Sequence, residues 1–176
     1  MKDGAADAID RVKRQGITTA MLTGDREESA QSVARQVGID NVYAKLLPED
    51  KLDRLGRIRT QYGPTMFVGD GINDAPVLAG ADVGAAMGSG ADAAIEAADV
   101  VFMTSDVSAI PESLHIARKV RRVAWQNVIF ALAVKIAVMI LGLLGQASMW
   151  MAVFADSGVA MLCVLNSVRL LRKKSN

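Results

Sequence analysis

The stretch Val68-Gly69-Asp70-Gly71-Ile72-Asn73-Asp74-Ala75-Pro76 decides the fold class, because it leads from an apolar strand into an acidic glycine loop. Thr65–Val68 is typical of a buried strand, and Asp74–Leu78 is typical of a short helix. Glycines allow tight turns and a close approach of the backbone. Two carboxylates and an amide suit a Mg²⁺ ion that keeps its waters and bridges to a phosphate. The stretch therefore predicts a magnesium and phosphate site rather than an ordinary acidic turn.

Strands and helices alternate on both sides of this stretch, from the start of the chain to about residue 117. The alternation predicts an α/β fold, a parallel sheet covered by helices on both faces. Chemistry in such sheets collects at the carboxyl ends of the strands. The predicted strands are Ile17–Leu22, Asn41–Ala44, Thr65–Val68, Val83–Ala86 and Val100–Met103, and the predicted helices are Asp7–Gln15, Glu27–Val37, Pro48–Tyr62, Asp74–Leu78 and two that begin near Ala91 and Ser108.

Two shorter motifs stand where strands and helices meet. Thr23-Gly24-Asp25 directly follows a predicted strand, and a hydroxyl with backbone N–H groups there favours either a phosphoryl site or an ordinary helix N-cap. Lys51 follows Pro48 in the first turn of a predicted helix, an end that prefers anions. A lysine directed at a phosphate explains this placement, and a solvated surface lysine is the alternative.

The charges divide the chain into two parts. The net charge of the 176 residues is only +1, which argues against a protein that coats nucleic acid. Residues 1–117 carry a net charge of −7, whereas residues 118–176 carry +8. One cysteine excludes an intrachain disulfide, and one histidine excludes a site of several histidines. We therefore predict one domain over residues 1–117 and a different one over residues 118–176.

The second part is unusually apolar. From Ala124 to Val168 the only charged side chains are Lys135 and Asp156, and this length suits two membrane crossings of about 20 residues each. We predict the helices at about 125–144 and 149–168. Basic residues flank the pair, and the short connection has no Lys or Arg, which predicts a hairpin with both ends in the cytoplasm. A buried hairpin of a soluble protein is the alternative.

The two charges inside the apolar part are predicted to lie at nearly equal depth. An ionisable residue within a membrane costs about 2.5–3.5 kcal/mol on insertion scales and marks a functional site by default. Lys135 and Asp156 therefore form either a cation site or a structural salt bridge. Cys163 shares a helix stripe with Asp156, and its spacing fits a soft metal ligand or, more commonly, a packing residue.

The three loop motifs together resemble the haloacid-dehalogenase-like (Rossmann-like) phosphorylation domain of P-type ATPases. With Ala85-Ala-Met-Gly88 and the apolar hairpin, the chain resembles the C-terminal part of the heavy-metal branch. The resemblance implies part of an ATP-driven exporter of zinc, cadmium or lead that uses Mg²⁺ and ATP and forms an aspartyl phosphate. It also implies a multi-pass location in the cell membrane, with the phosphorylation domain in the cytoplasm and the lipid bilayer and the rest of the pump as partners.

The resemblance also implies a role for each motif residue. Thr23 hydrogen-bonds the transferred phosphoryl group, and Lys51 neutralises its developing charge. Asp70 binds Mg²⁺, while Asn73 and Asp74 orient the loop and the phosphorylated aspartate. The candidate catalytic residues are Thr23, Gly24, Asp25, Lys51, Asn73 and Asp74; the candidate cofactor-binding residues are Asp70, Gly71 and Asp74; Asp156 would bind the transported ion, with Lys135 as its counter-charge.

The family's nucleophile stands in an Asp-Lys-Thr-Gly segment, which does not occur in this sequence. We therefore expect a fragment that does not hydrolyse ATP alone. Two alternatives stay open: a soluble haloacid-dehalogenase-type phosphatase, and a non-catalytic membrane protein with a degenerate phosphorylation fold.

Overall fold

A computed structural model describes residues 4–88, 91–104, 106–146 and 148–171. Its packing falls into two units, Met1–Glu112 and Ser113–Asn176. The domain boundary predicted near residue 118 stays a prediction.

The first unit alternates short parallel strands with helices, as predicted. The helices are α1 (Ala5–Arg14), α2 (Glu27–Val37), α3 (Pro48–Tyr62), α4 (Ala75–Gly80) and α5 (Asp92–Glu96), and a 3₁₀ turn over Ile72–Asp74 precedes α4. The strands are β1 (Ala20–Leu22), β2 (Asn41–Tyr43), β3 (Met66–Gly69), β4 (Val83–Met87) and β5 (Val100–Phe102). Gly38 ends α2 in the left-handed region at φ 80°, where glycine bears no steric penalty, and its N–H donates to the carbonyl of Ala34.

All strand pairs are parallel, which confirms the predicted sheet type. Among the described residues the strands form two ladders, β1–β2 and β3–β4–β5. Ala20 pairs with Asn41 in the first ladder. Met66 pairs with Val83, and Ala85 with Val100, in the second. The carboxyl ends of β1 and β3 carry the Thr23 and Asp70 motifs, respectively.

An aspartate directly before three of the strands ties the amino ends of neighbouring strands together. Asp40 accepts hydrogen bonds from the N–H and hydroxyl of Thr19, at 2.9 and 2.8 Å. Asp82 accepts from the N–H of Thr65 at 2.9 Å, and Asp99 from the N–H of Gly84 at 2.8 Å. The first two contacts correct the predicted starts of β1 at Ile17 and of β3 at Thr65. β1 begins at Ala20, three residues later than predicted, and β3 begins at Met66, one residue later. The N–H groups directly before these starts, those of Thr19 and Thr65, bind carboxylates.

Asp40 also forms an ion pair with Lys13 of α1. Its carboxylate lies 2.6 Å from the ammonium of Lys13, and this partly exposed group also binds Thr19. The hydrogen bond from Lys13, followed by that from the Thr19 N–H, holds the pKa of Asp40 below its usual range.

The packing of α4 against β4 positions the Asp70 loop, which leads into α4. Val77 and Leu78 of α4 are fully buried, as are Ala85 and Ala86 of β4. A Cβ at Gly84 would collide with the backbone carbonyl of Leu78, so helix and strand approach as closely as glycine allows. This packing anchors the residues directly after the 3₁₀ turn.

Two apolar helices follow: α6 (Ala109–Leu143), which begins before the unit boundary and lies mostly in the second unit, and α7 (Met149–Val168), which lies wholly in it. Both are long and apolar enough to cross a membrane. The helix predicted from Ser108 and the first predicted span form one continuous helix. Gly145, at φ 70°, ends α6, and the Gln146 N–H donates to the Leu141 carbonyl as in a Schellman motif. A π-helical turn over Phe154–Gly158 interrupts α7 and contains Asp156.

Candidate functional site

The Thr23-Gly24-Asp25 loop follows β1 and is fastened to the loop after β2. The Thr23 N–H donates to the Tyr43 carbonyl at 3.0 Å, and the Leu46 N–H donates to the Thr23 carbonyl at 3.1 Å. A Cβ at Gly24 would lie 3.3 Å from the Leu46 carbonyl oxygen, so the loops pack tightly. The Thr23 hydroxyl accepts a hydrogen bond from the Asp25 N–H at 3.1 Å. Its own O–H is thereby oriented while remaining able to donate to an anionic oxygen.

Lys51 of α3 forms an ion pair with Asp74 of the 3₁₀ turn. The ammonium lies 2.8 Å from Asp74 Oδ1, and the two side chains are only 15% and 16% exposed. A pair this short and this shielded is a charge-assisted hydrogen bond. It uses one of the three ammonium donors, which leaves two for a further anion. The solvated surface lysine that the sequence left open is therefore wrong for Lys51.

The Asp70 loop is compressed against Asp74. The Asp74 N–H donates to the Gly71 carbonyl at 3.0 Å. A Cβ at Gly69 would lie 2.9 Å from Asp74 Cβ, closer than real side chains come. Asp70 and Asn73 are exposed, and the Asp70 backbone carbonyl accepts from the Ala91 N–H at 3.0 Å. The loop thus fixes its backbone internally and presents the Asp70 carboxylate to solvent.

A continuous series of contacts links the three motifs. The Thr23 carbonyl accepts a hydrogen bond from the Leu46 N–H. The carbonyl of Leu47, which follows Leu46, accepts a hydrogen bond from the Lys51 N–H at 3.1 Å. The Lys51 ammonium in turn contacts the Asp74 carboxylate, and the Asp74 N–H donates to the Gly71 carbonyl. A hydroxyl donor, an ammonium and an exposed carboxylate are therefore carried by loops that hold one another. Such a set suits a phosphoryl group together with a divalent cation.

The donor set at this loop fits Mg²⁺ better than a transition metal. Within the described ranges, no group of three or more His, Cys, Asp or Glu side chains is arranged to hold a metal. Mg²⁺ does not need such a cage, because it keeps several waters and takes one or two carboxylates plus phosphate oxygens. Asp70 is exposed, and the glycines on both sides of it lie close to the Asp74 carboxylate, so the loop provides that kind of donor set.

The second candidate site lies between α6 and α7. The Lys135 ammonium lies 3.2 Å from Asp156 Oδ1, which brings together the two charges that the sequence singled out. Their side chains are 58% and 76% exposed within this chain, so the pair lies on the surface of the hairpin. Asp156 occupies the π-helical turn, a feature that frequently occurs at functional sites.

Sequence reasoning missed a polar cluster between the same helices. It comprises Asn127 of α6 with Cys163, Asn166 and Ser167 of α7. The available signal was the amide side chains of Asn127 and Asn166 inside predicted membrane spans. Cys163 belongs to this cluster: its Sγ lies 3.7 Å from the Asn127 carbonyl oxygen.

Comparisons with known proteins match nearly the whole chain. Two family models described as haloacid dehalogenase-like hydrolase match residues 1–82 and 56–114. The cadmium, zinc and cobalt-transporting ATPase of Bacillus subtilis is 50% identical over 99% of this chain and 26% of its own length. The zinc-transporting ATPase of Synechocystis is 51% identical over 98% of this chain and 24% of its own length.

A solved structure shows the same similarity in three dimensions. The crystal structure of a zinc-transporting PIB-type ATPase in the E2.Pi state matches with a TM-score of 0.93 at 37% identity. The match covers 98% of this chain and 28% of that chain. The chain thus spans about a quarter of the length of the curated relatives it matches.

Proposed function

Because the chain belongs to the family of metal-transporting P-type ATPases, we propose that it forms part of an ATP-driven exporter of zinc, cadmium or lead ions. Its first unit would act in phosphoryl transfer, and its apolar helices would carry part of the ion path. The observation that carries this proposal is the shielded contact between Lys51 and Asp74, because it joins two separate motifs at one loop. P-type ATPases and haloacid-dehalogenase-like hydrolases generally use Mg²⁺, and the former use ATP.

The first unit would stabilise charge rather than supply the nucleophile. Phosphoryl transfer depends mainly on positioning and on stabilising charge on the phosphoryl oxygens. The Thr23 hydroxyl would donate to one such oxygen, and the two remaining Lys51 donors would approach others. Asp70, with Gly71 and Asp74 beside it, would hold Mg²⁺, which when bound neutralises phosphate charge. Asn73 would help to orient the loop.

The strand order supports a nucleophile supplied by another segment. One common order of doubly wound sheets is 3-2-1-4-5-6, with the ligand site at the switch point beside strand 1. In the other, 2-1-3-4-5, strands 1 and 3 are neighbours, whereas β1 and β3, both within the described residues, do not pair here. The ladders β2–β1 and β3–β4–β5 match the two flanks of the first of these orders. We infer that a strand from outside this sequence completes the sheet and places an aspartate between Thr23 and Asp70. The terminal phosphoryl group of ATP would pass to that carboxylate and then to water.

The ion site proposal rests on Lys135 and Asp156. A carboxylate is an oxygen ligand for a divalent cation, and the lysine would pair with it once the ion has left. The 3.2 Å contact supports this exchange, because it shows the lysine within reach of the carboxylate. We further propose that α6 and α7 cross the plasma membrane, with the basic flanks and the first unit in the cytoplasm.

Phosphate binding tests the first unit. The full chain in detergent micelles is titrated with inorganic phosphate, with and without Mg²⁺, and followed by ³¹P NMR. Binding should require Mg²⁺ and weaken at least about tenfold in Asp70→Asn, because a carboxylate contact to the cation is lost. The matched control is Asp53→Asn, an exposed aspartate of α3. Equal Mg²⁺-dependent binding by Asp70→Asn and the parent would refute the assignment.

Metal-stimulated ATP turnover tests the membrane unit. In a complete pump that contains this sequence, Asp156→Ala should abolish stimulation by Zn²⁺ and Cd²⁺. The control is Ser157→Ala, its exposed neighbour in the π-helical turn. Undiminished stimulation in Asp156→Ala would remove Asp156 from the ion path.

A further inference from the structure

Asn127 connects α6 to three residues of α7. Its Nδ2 donates to the Cys163 carbonyl at 3.1 Å and to the Ser167 hydroxyl at 2.9 Å. Its Oδ1 accepts from Asn166 Nδ2 at 2.8 Å, and its backbone carbonyl accepts from Cys163 Sγ at 3.7 Å. The amide of this half-buried residue thus uses both its donor and its acceptor functions across the helix interface.

The Asn127 cluster and the Lys135–Asp156 pair lie at two levels of one antiparallel interface. Lys135 is eight residues beyond Asn127 along α6, about 12 Å at the helical rise of about 1.5 Å per residue. Asp156 precedes Cys163 by seven residues on α7, about 10.5 Å by the same rise. The two separations agree closely, so the register that satisfies Asn127 also brings Lys135 level with Asp156.

Apolar packing alone specifies this register poorly. Ala155 and Val159 are the buried apolar residues of α7, and small and branched side chains like these pack in more than one offset. A slip by one helical turn moves α7 by about 5.4 Å. Such a slip would take the amides of Asn127 and Asn166 away from these partners, and a polar group left unsatisfied within the helix interface costs about 1–3 kcal/mol. It would also separate Lys135 from Asp156.

We propose that Asn127 is a positioning residue that fixes the register of α6 against α7 and so aligns Lys135 with Asp156. A single buried asparagine fixes register in coiled coils by the same means. The consequence for ion transport rests on the proposed function, whereas the register itself does not.

A double-mutant cycle repeated in two backgrounds tests the proposal. Lys135→Met, Asp156→Leu and the double variant are made in the full chain, and SDS-induced unfolding of the hairpin is measured in detergent micelles. Both tryptophans, Trp125 and Trp150, lie in this unit, so their fluorescence reports on it. The parent should show a coupling of about threefold or more in the unfolding constant, the typical value for polar contacts between membrane helices.

The same cycle is then measured in the Asn127→Leu background. We expect the coupling to fall to about onefold there, since misaligned helices leave Lys135 and Asp156 without contact. The matched control is Gln126→Leu, which replaces the exposed amide next along α6 and should leave the coupling unchanged. Ser167→Ala removes one hydrogen bond between the helices, from Asn127, and one within α7, to the Cys163 carbonyl. It leaves the other contacts of Asn127 in place and should reduce the coupling partly, which keeps the test decisive if Asn127→Leu does not fold.

An undiminished coupling in both Asn127→Leu and Ser167→Ala would overturn the proposal, because the cluster would then add stability without setting register. Absence of coupling in the parent would overturn it as well. Neither metal nor ATP is present in this experiment. Its failure would therefore leave the proposed function standing, and an inactive ion site would leave the measured coupling unchanged.

Discussion

Replacing Gly69 by alanine should disturb the Asp70 loop far more than the same change at Gly71, two residues away. A Cβ at Gly69 would lie 2.9 Å from Asp74 Cβ and 3.1 Å from Asp74 Oδ2. Carbon atoms in contact prefer about 3.5–4.0 Å, so Asp74 must retreat by about half an ångström or more. At Gly71 the nearest atom, Asp74 Oδ2, lies at 3.6 Å, an ordinary contact. Neither glycine has a positive φ, so space alone separates the two sites.

The retreat of Asp74 sets the expected magnitude. Overpacking of this kind costs about 1–3 kcal/mol. That corresponds to roughly 5- to 150-fold in an equilibrium constant. The 2.8 Å contact between Lys51 and Asp74 would lengthen or break, and the Asp70 loop would lose its anchor. Gly69→Ala should therefore speed local opening and weaken Mg²⁺-dependent phosphate binding, whereas Gly71→Ala should change both by less than about twofold.

Hydrogen exchange of the full chain in detergent measures this opening, with peptides that cover β3, the loop and β4. Tryptophan fluorescence would not serve, because both tryptophans lie in the other unit. Protection of these peptides should fall in Gly69→Ala and stay close to the parent in Gly71→Ala. Equal protection in the two variants would mean that the close approach to Asp74 does not restrain the loop.

Three further predictions concern stability. Gly84→Ala should destabilise the first unit by about 1–3 kcal/mol, because the added Cβ would collide with the Leu78 carbonyl. Gly56→Ala, which has open space around the added Cβ, should instead stabilise α3 by about 0.5–1 kcal/mol. Urea unfolding followed by far-UV circular dichroism compares the two variants. Lys45 has φ 55°, so Lys45→Gly should raise stability by about 1 kcal/mol in the same assay, and a loss would contradict the strain. The pKa of Asp40 is lowered on folding, so the contribution of Asp40 to the free energy of unfolding is complete above about pH 4 and disappears as the pH falls through the lowered pKa. Asp40→Asn should therefore make stability depend less on pH at the acid end of a pH–stability curve. An unchanged acid dependence would contradict this.

Local chemistry made most of the fold predictable. Gly38 and Pro48 mark a helix end and a helix start by backbone properties that need no distant partner, and α2 and α3 occupy their predicted ranges. The strand starts were less predictable. Thr19 and Thr65 look like strand residues, but their N–H groups bind aspartates that are distant in the sequence, and the strands begin at the next residue.

The candidate site was predictable in its residue types and not in its contacts. The sequence indicated that Lys51 and Asp74 belong to one chemistry, but the ion pair between them depends on how α3 packs beside the 3₁₀ turn. Asn127 was missed for a similar reason, because the role of an amide in an apolar span cannot be inferred until its hydrogen-bond partners on the other helix are known. The roles of such residues depend on partners that are distant in the sequence, and the local sequence pattern does not show those partners.

The two polar groups between α6 and α7 differ in what they could contribute to the hairpin. The Asn127 cluster joins the helices with neutral hydrogen bonds and needs no charge in the membrane. The charged pair adds less to the association of the helices, because exposed ion pairs contribute only about 0–1 kcal/mol. Lys135 and Asp156 are also largely exposed on the hairpin, so they would face lipid or other helices rather than each other alone. Since the cluster already joins the helices, adhesion does not account for a lysine and an aspartate inside two apolar helices, whereas the proposed exchangeable cation would.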